Sequence, residues 1–273
     1  MLTKFFRMIE KSCRFGKTIS EKVSILNALC ALTLKKRVYE QRLNEECTQR
    51  VLGYTITAYG YKTLQYLFQE IFLSNEYYFE ALNETPTIID CGANIGVSVL
   101  YFKRLYPNAR ILAFEPNPHA FRLLEKNIAR NDIKNVSAFN FALSDKDGEI
   151  AFYCNEDMGT LKGSLRRDRG GGTEMKVKSV RLSEFIDKLE TRVDLIKIDV
   201  EGGENEIITD LCASRAIEKI DEIVIEYHHK IGDEPGNFSE FLGKFEQNKF
   251  DYNLSALFLE LRTFQDILIH FYR

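Results

Sequence analysis

No two cysteines in this chain stand in C-x-x-C spacing; the six of them, Cys13, Cys30, Cys47, Cys91, Cys154 and Cys212, are scattered. A zinc site or a disulfide framework is therefore not expected, and isolated thiols suit the cytoplasm. No apolar run approaches the roughly 18 residues that span a bilayer, so no stable membrane anchor is expected. The opening MLTKFFRMIEKSCRFGK is basic without an uninterrupted apolar core, which argues against a cleaved signal peptide. The net charge is only −3, too balanced for a general binder of nucleic acid or membrane surfaces. Internal repeats are lacking, and the glycines at 170–172 are the one low-complexity tract. What is present is globular: 273 residues, 45% hydrophobic and 28% charged. That suffices for one large α/β domain plus an extension.

The most informative stretch is TIIDCGANIGVS, residues 87–98. A β-branched run ends in Asp90, turns through Gly92 and Gly96, and enters a helix near Val97. A strand, a glycine loop and a helix in that order are where open α/β sheets bind nucleotides. The spacing is D-x-G-x-x-x-G, not the G-x-G-x-x-G that cradles a pyrophosphate. An acid at the strand end without a pyrophosphate pattern suits a ligand carrying positive charge. S-adenosylmethionine, with its ammonium and sulfonium, fits.

Two regions follow from the patterning. Residues 1–84 read as a mainly helical extension or cap, with Val23, Leu26, Leu29, Leu32 and Leu34 as a helical stripe closed by Lys35, Lys36 and Arg37. VLGYTITAYG reads as a strand and turn, and YKTLQYLFQEIF as an amphipathic helix. Residues 85–273 alternate strands and helices: TIIDC, ARILAFE and NVSAFNFAL are strands with helices between them. EIAFYCN and MKVKSVRL are further strands around a loop that includes RRDRGGG. VDLIKIDVE and DEIVIEYHH are strands again, and DYNLSALFLE and DILIHFYR close the pattern. Such alternation predicts right-handed crossovers and a mostly parallel sheet with helices on both faces. The last two strands allow one antiparallel partner at the sheet edge.

Charged residues gather at predicted strand ends. Glu115 lies about 20 residues beyond the glycine loop, where an acid takes both ribose hydroxyls. Asn117 follows it in FEPNP, as a second ribose contact or a helix cap. Asn140, Phe141 and Ala142 are candidates for an adenine slot. In LIKIDVEGGE, the residues Lys197, Asp199 and Glu201 share one strand face by the two-residue period. Glu226 and His228 likewise face one side of the next strand, and His229 the other. Histidine titrates near neutrality, so His228 is the best placed general base by sequence.

Taken together, IIDCGANIGVSVLYF, FEPNP, FALSDKDGEI, LIKIDVEGGE and IVIEYH, preceded by EIF with NEYYF, resemble the FkbM family of S-adenosylmethionine-dependent methyltransferases over about residues 70–228. The resemblance implies the Rossmann-like, seven-stranded class I methyltransferase fold. It also implies O-methylation of a sugar or other hydroxyl-bearing metabolite. Asp90, Gly92, Ala93, Asn94 and Gly96 would form the methionine-side loop, Glu115 would hold ribose, and residues 140–142 would approach adenine. Asp199 would face the methyl-transfer centre, as base or as orienting group. A divalent metal on Asp199 and Glu201 is a third option, disfavoured because no third ligand is evident. The arginines of RRDRGGG could clamp an acidic substrate, or the loop could simply be solvated. A nicotinamide oxidoreductase is the rival enzyme, and DCGANIG does not supply its glycine pattern. A non-catalytic cofactor-binding scaffold is the other rival. The N-terminal helices could cover the site or form a homodimer.

Overall fold

The computed structural model describes residues 2–39 (side chains from residue 5), 45–155, 163–232, 237–256 and 263–273. Its N-terminal region holds helices α1 (Leu2–Phe15) and α2 (Ile19–Val38), the strands β1 (Glu46–Val51) and β2 (Tyr54–Tyr59), and α3 (Tyr61–Leu67), which runs into a π-helical turn, Phe68–Leu73. Thr18 caps α2 by accepting the Glu21 N–H, and three basic residues close the helix. The buried stripe of α2 is Ile25, Ala28, Leu29 and Leu32, whereas Val23 and Leu34 are exposed. A 3.6-residue period keeps 25, 28, 29 and 32 on one side and rotates 23 and 34 away. The sequence reading missed β1 because ECTQRV carries no apolar run. It pairs with β2 across a two-residue turn in which Leu52 and Gly53 both have positive φ, the left-handed turn that matches strand twist.

From residue 87 come β3 (Thr87–Cys91), α4 (Val97–Leu105), β4 (Arg110–Phe114), α5 (Pro118–Arg130), β5 (Val136–Phe139), β6 (Ala142–Leu143), β7 (Gly148–Cys154), β8 (Gly163–Ser164), α6 (Arg167–Gly170), β9 (Thr173–Val180) and α7 (Ser183–Ile186). They are followed by β10 (Val193–Ile198), α8 (Glu204–Ala213), β11 (Ile220–His229), α9 (Phe238–Gln247), β12 (Asp251–Ala256) and β13 (Gln265–Tyr272). The main sheet has seven strands in the order β12-β13-β11-β10-β3-β4-β5. The five strands from β11 to β5 are parallel neighbours. The chain leaves β3 for β4 on one side and returns to β10 on the other, so a crevice opens at the carboxyl ends of β3 and β10. Two expectations change. The antiparallel strand is not at the edge: β13 inserts between β11 and β12 and pairs with both. NVSAFNFAL is not one strand: β5 belongs to the main sheet, β6 to a separate sheet ordered β6-β9-β7-β8. Asn140 marks the break, donating its amide to the carbonyls of Glu115 and Pro116. RRDRGGG, read as loop, includes the single turn α6.

Period-two alternation distributes the core over both faces of the sheet. Ile89, Ile196 and Ile223 join a cluster with Phe241 and Phe245 of α9. Ile88, Leu195 and Val224 join the opposite cluster, which also contains Leu29, Leu32, Ile56, Leu64 and Phe68. The N-terminal region therefore supplies the cover of one sheet face. Asn127 and Asn131 of α5 fasten it. Asn127 Oδ1 accepts the Thr57 N–H at 2.7 Å while its Nδ2 donates to the carbonyls of Thr57 and Ile95; Asn131 treats Thr55 in the same way. Two side-chain amides one helical turn apart thus replace a strand partner along β2, and the bond to Ile95 ties that strand to the glycine loop.

Candidate active site

A cavity lies over the carboxyl ends of β3, β4 and β10. Its first half is built on the glycine loop. Gly92 has φ +82°, and a Cβ on it would stand 1.8 Å from the Asp199 carbonyl oxygen. Only glycine lets the β3 loop pass the β10 end so closely. Ala93 and Gly92 donate their N–H groups to the Phe114 carbonyl, which holds the loop over β4. Glu115 is buried, with Oε2 accepting the Asn94 N–H and Oε1 the Asn117 N–H, both at 2.8 Å. Burial pushes its pKa up to about 7 against those two N–H groups and Lys197. Each carboxylate oxygen keeps a lone pair for a ribose hydroxyl. Asn117 caps α5 through the His119 N–H. Phe141, Ala142 and Leu143 add an apolar wall, and Phe152 and Leu165 continue it. A backbone cradle, a cavity-facing carboxylate and an apolar slot fit the methionine, ribose and adenine parts of S-adenosylmethionine.

The second half is acidic. Lys197, Asp199, Glu201 and Glu226 line it from the sheet, and Tyr66, Glu70 and Tyr77 close it from the N-terminal region. Lys197 is 2% exposed. Its Nζ donates to the Gly92 carbonyl at 2.8 Å and lies 3.3 Å from Asp90 Oδ1 and 3.6 Å from Asp199 Oδ2. Burial works against its charge, but the Asp90 and Asp199 carboxylates outweigh it and raise its pKa above the ordinary lysine value. Tyr77 donates its hydroxyl to Asp199 Oδ2 at 3.4 Å. Burial also raises Asp199, opposed by Lys197. Across the cavity, burial lifts Glu70 to about 7, and burial with the nearby Asp199 charge lifts Glu226 to about 9; Glu76, behind the wall, is lifted to about 8. So many carboxyl groups in one partly dry space cannot all ionise at low cost.

Besides Asn140, which is absent from the cavity wall and spends its amide on the Glu115 and Pro116 carbonyls, three expected site residues stand elsewhere. Asp90 is fully buried under the loop and absent from the cavity wall, taking the Ser98 hydroxyl at 2.6 Å and the Lys197 charge. Gly96 is the left-handed residue that starts α4, packed against Leu124. Neither touches the cavity; both shape the loop from behind. His228 is the third. Its side chain is fully buried, Nδ1 lies 2.8 Å from Glu204 Oε1, and Nε2 lies 3.0 Å from Glu201 Oε2 in an ion-pair contact bent away from hydrogen-bond geometry. Burial would strip its second proton, but the Glu204 and Glu201 carboxylates outweigh burial and hold its pKa well above the ordinary histidine value. An imidazole with Glu204 against Nδ1 and Glu201 against Nε2 is not free to act as a general base. Two of the three RRDRGGG arginines are likewise engaged: Arg166 pairs with Glu206, and Arg169 pairs with Glu201 and stacks on Phe264, while Arg167 is exposed. Burial raises the pKa of Glu201, but His228 and Arg169 pull it below the usual value.

Sequence reasoning missed Tyr66 and Glu70, Tyr77, and Glu226 as a cavity residue. The segments EIF and NEYYF, which hold Glu70 and Tyr77, carried a signal as part of the resemblance. Glu226 was marked by its two-residue offset from His228. Among the described residues, the donor atoms that come within 4.8 Å of one another are those of Asp199, Glu226 and His228, a set that differs from the expected Asp199 and Glu201 pair.

A seven-stranded sheet in this order, with its cavity at the β3 and β10 ends, defines a class I methyltransferase. The chain superposes with a TM-score of 0.51 on a methyltransferase FkbM crystal structure from Methylobacillus flagellatus, at 15% identity, covering 99% of this chain and 60% of that one. Residues 90–254 match the family described as the methyltransferase FkbM domain. The chain is 34% identical over 174 residues to methyltransferase sdnD of Sordaria araneosa, covering 53% of this chain and 67% of that one. It is 27% identical over 207 residues to the 31-O-demethyl-FK506 methyltransferase FkbM of Streptomyces tacrolimicus, covering 64% and 79%. The chain belongs to the FkbM methyltransferase family, whose members transfer a methyl group from S-adenosylmethionine.

Proposed function

We propose that the chain methylates a hydroxyl group of an uncharged, polyhydroxylated small molecule such as a sugar. The observation that carries this reading is the acceptor half of the cavity. Glu70, Asp199, Glu201 and Glu226 present hydrogen-bond acceptors to an incoming molecule, while Lys197 is tied to Asp90 and Arg169 to Glu201. Hydroxyl groups donate to the ionised members of this set and accept from the protonated ones, while its net negative charge would repel a carboxylate or phosphate on the acceptor. The relative from Streptomyces tacrolimicus, by its name, also methylates an oxygen.

In this reading Gly92, Ala93 and Asn94 hold the methionine end of the donor, Glu115 and Asn117 the ribose, and Phe141 and Ala142 the adenine. Asp199 stands where the halves meet, its main chain against Gly92 and its carboxylate steadied by Lys197 and Tyr77, and it aims the acceptor hydroxyl. The sulfonium methyl is displaced in line and leaves a neutral thioether. Alignment of the two reactants can contribute about 7–11 kcal/mol. Residues 1–84 act as the roof of this cavity rather than as a separate module. The test is transfer of label from methyl-labelled S-adenosylmethionine to a panel of neutral sugars, polyols, uronic acids and sugar phosphates. Label in neutral members is expected. Label confined to the acidic ones would sink the preference for an uncharged acceptor, and donor binding without transfer to any hydroxyl would favour a scaffold.

A further inference from the structure

His228 Nε2 is a fully buried nitrogen without a hydrogen bond of ordinary geometry. Carboxylate oxygens surround it: Glu201 Oε2 at 3.0 Å, Asp266 Oδ1 at 3.8 Å, Glu226 Oε1 at 3.9 Å and Asp199 Oδ1 at 4.0 Å. Arg169 answers two of these, lying against Glu201 and 3.8 Å from Asp266. Asp199 and Glu226 remain facing the nitrogen from the cavity side. We propose that Asp199, Glu226 and His228 bind a divalent metal ion at the acceptor end of the cavity. Its binding is independent of the methyl-transfer reading; its role rests on that reading.

Spacing and chemistry both support the ion. Bonds of about 2.1 Å place neighbouring ligand atoms about 3 Å apart and opposed ones about 4 Å apart. One donor atom from each of the three residues already lies within 4.8 Å of the others, so side-chain rotation closes the set without moving β10 or β11. One imidazole with two carboxylates suits Mn²⁺ and similar first-row ions rather than thiolate-seeking metals. The other ring nitrogen is held as metal-bound histidines are held: Nδ1 meets Glu204 Oε1 at 2.8 Å, and that carboxylate is fixed by the Gly202 N–H at 2.9 Å. Three protein ligands leave the cavity side of the ion open. An acceptor hydroxyl coordinated there becomes more acidic. Its proton passes to water, the oxygen forms the new C–O bond, and the C–S bond of the sulfonium breaks with its electron pair going to sulfur.

The test is titration of metal-stripped protein with Mn²⁺, read by calorimetry and by the electron paramagnetic resonance of the free ion. One Mn²⁺ site per chain is expected. Glu204→Gln should weaken it by about 10- to 100-fold, the usual effect of removing a histidine's outer partner, and Glu226→Gln by more. Asp132→Asn, far from the cavity on an exposed turn, should leave it unchanged. His228 is too buried to serve as the only probe; Glu226 is partly exposed, so its variant keeps the fold and carries the test. The absence of a site, or one indifferent to both Glu226→Gln and Glu204→Gln, would overturn the proposal. S-adenosylmethionine affinity of the stripped protein is measured alongside. Donor binding without Mn²⁺ binding removes the ion and leaves methyl transfer standing; Mn²⁺ binding without donor binding supports the ion and removes the donor.

Discussion

At the residue scale, the ribose contact proposed for Glu115 would couple donor binding to pH. Its folded pKa of about 7 lies above the ordinary 4.5 because of burial. Between those values the folded chain keeps a proton that the unfolded chain has lost. The stability of the donor-free protein therefore falls as pH rises through that window. In the proposed binding mode donor affinity would run the other way, because ribose hydroxyls need the ionised carboxylate. Calorimetry should show S-adenosylmethionine affinity weakening by about tenfold for each pH unit below 7. Glu115→Gln should flatten that profile and weaken binding at pH 8 by about 10- to 100-fold, the worth of hydrogen bonds to a charged group. Gly92→Ala is a harsher change, because the new methyl meets the Asp199 main chain in a left-handed conformation. It should abolish donor binding and lower the unfolding midpoint by about 5–10 °C. Gly53→Ala, also left-handed but with nothing within 4 Å, should cost only about 1–2 kcal/mol of backbone strain and spare binding.

At the element scale, the asparagine pair of α5 decides whether the hairpin stays seated. Asn127→Ala would leave the Thr57 N–H, the Thr57 carbonyl and the Ile95 carbonyl without those partners in a fully buried place. A loss of about 2–4 kcal/mol in denaturant unfolding is expected, with faster protease cleavage near residues 45–60. Asn131→Ala, half-buried, should cost less. The same elements explain what could be read in advance. The parallel strands were legible because burial on both faces writes nearly continuous apolar runs such as TIID and VDLIKI. β1 was not, since its own side chains are largely polar and its one strand partner is β2. The break at Asn140 was hidden because β5 and β6 share an apolar pattern, and only the amide's reach to Glu115 and Pro116 separates them. Glu115, Asp199 and Lys197 line the cavity where the sequence pattern put them, because a strand end fixes where they point. The surroundings of His228 were not legible, because Glu201 on the β10–α8 turn and Glu204 at the start of α8 meet its two nitrogens only in the folded chain.

At the scale of the whole molecule, residues 1–84 and the sheet share one core. Removing residues 1–84 would expose one sheet face and delete Tyr66, Glu70 and Tyr77 from the cavity. We expect residues 85–273 alone to be insoluble or molten, with no donor binding, and limited proteolysis of the intact chain to yield no stable fragment cut near residue 84. A soluble, donor-binding 85–273 fragment would show the region to be a detachable lid. The insertion of β13 between β11 and β12 carries a consequence for synthesis. The glycine loop and its ribose acid are made before residue 116, yet β11 gains its second neighbour, and His228 the Asp266 and Phe264 beside it, only after some 150 further residues have been translated. Long sequence separation makes such pairing slow. A nascent polypeptide would therefore carry a half-built cavity while residues 116–266 are made, with the side proposed for the acceptor assembled after the side proposed for the donor.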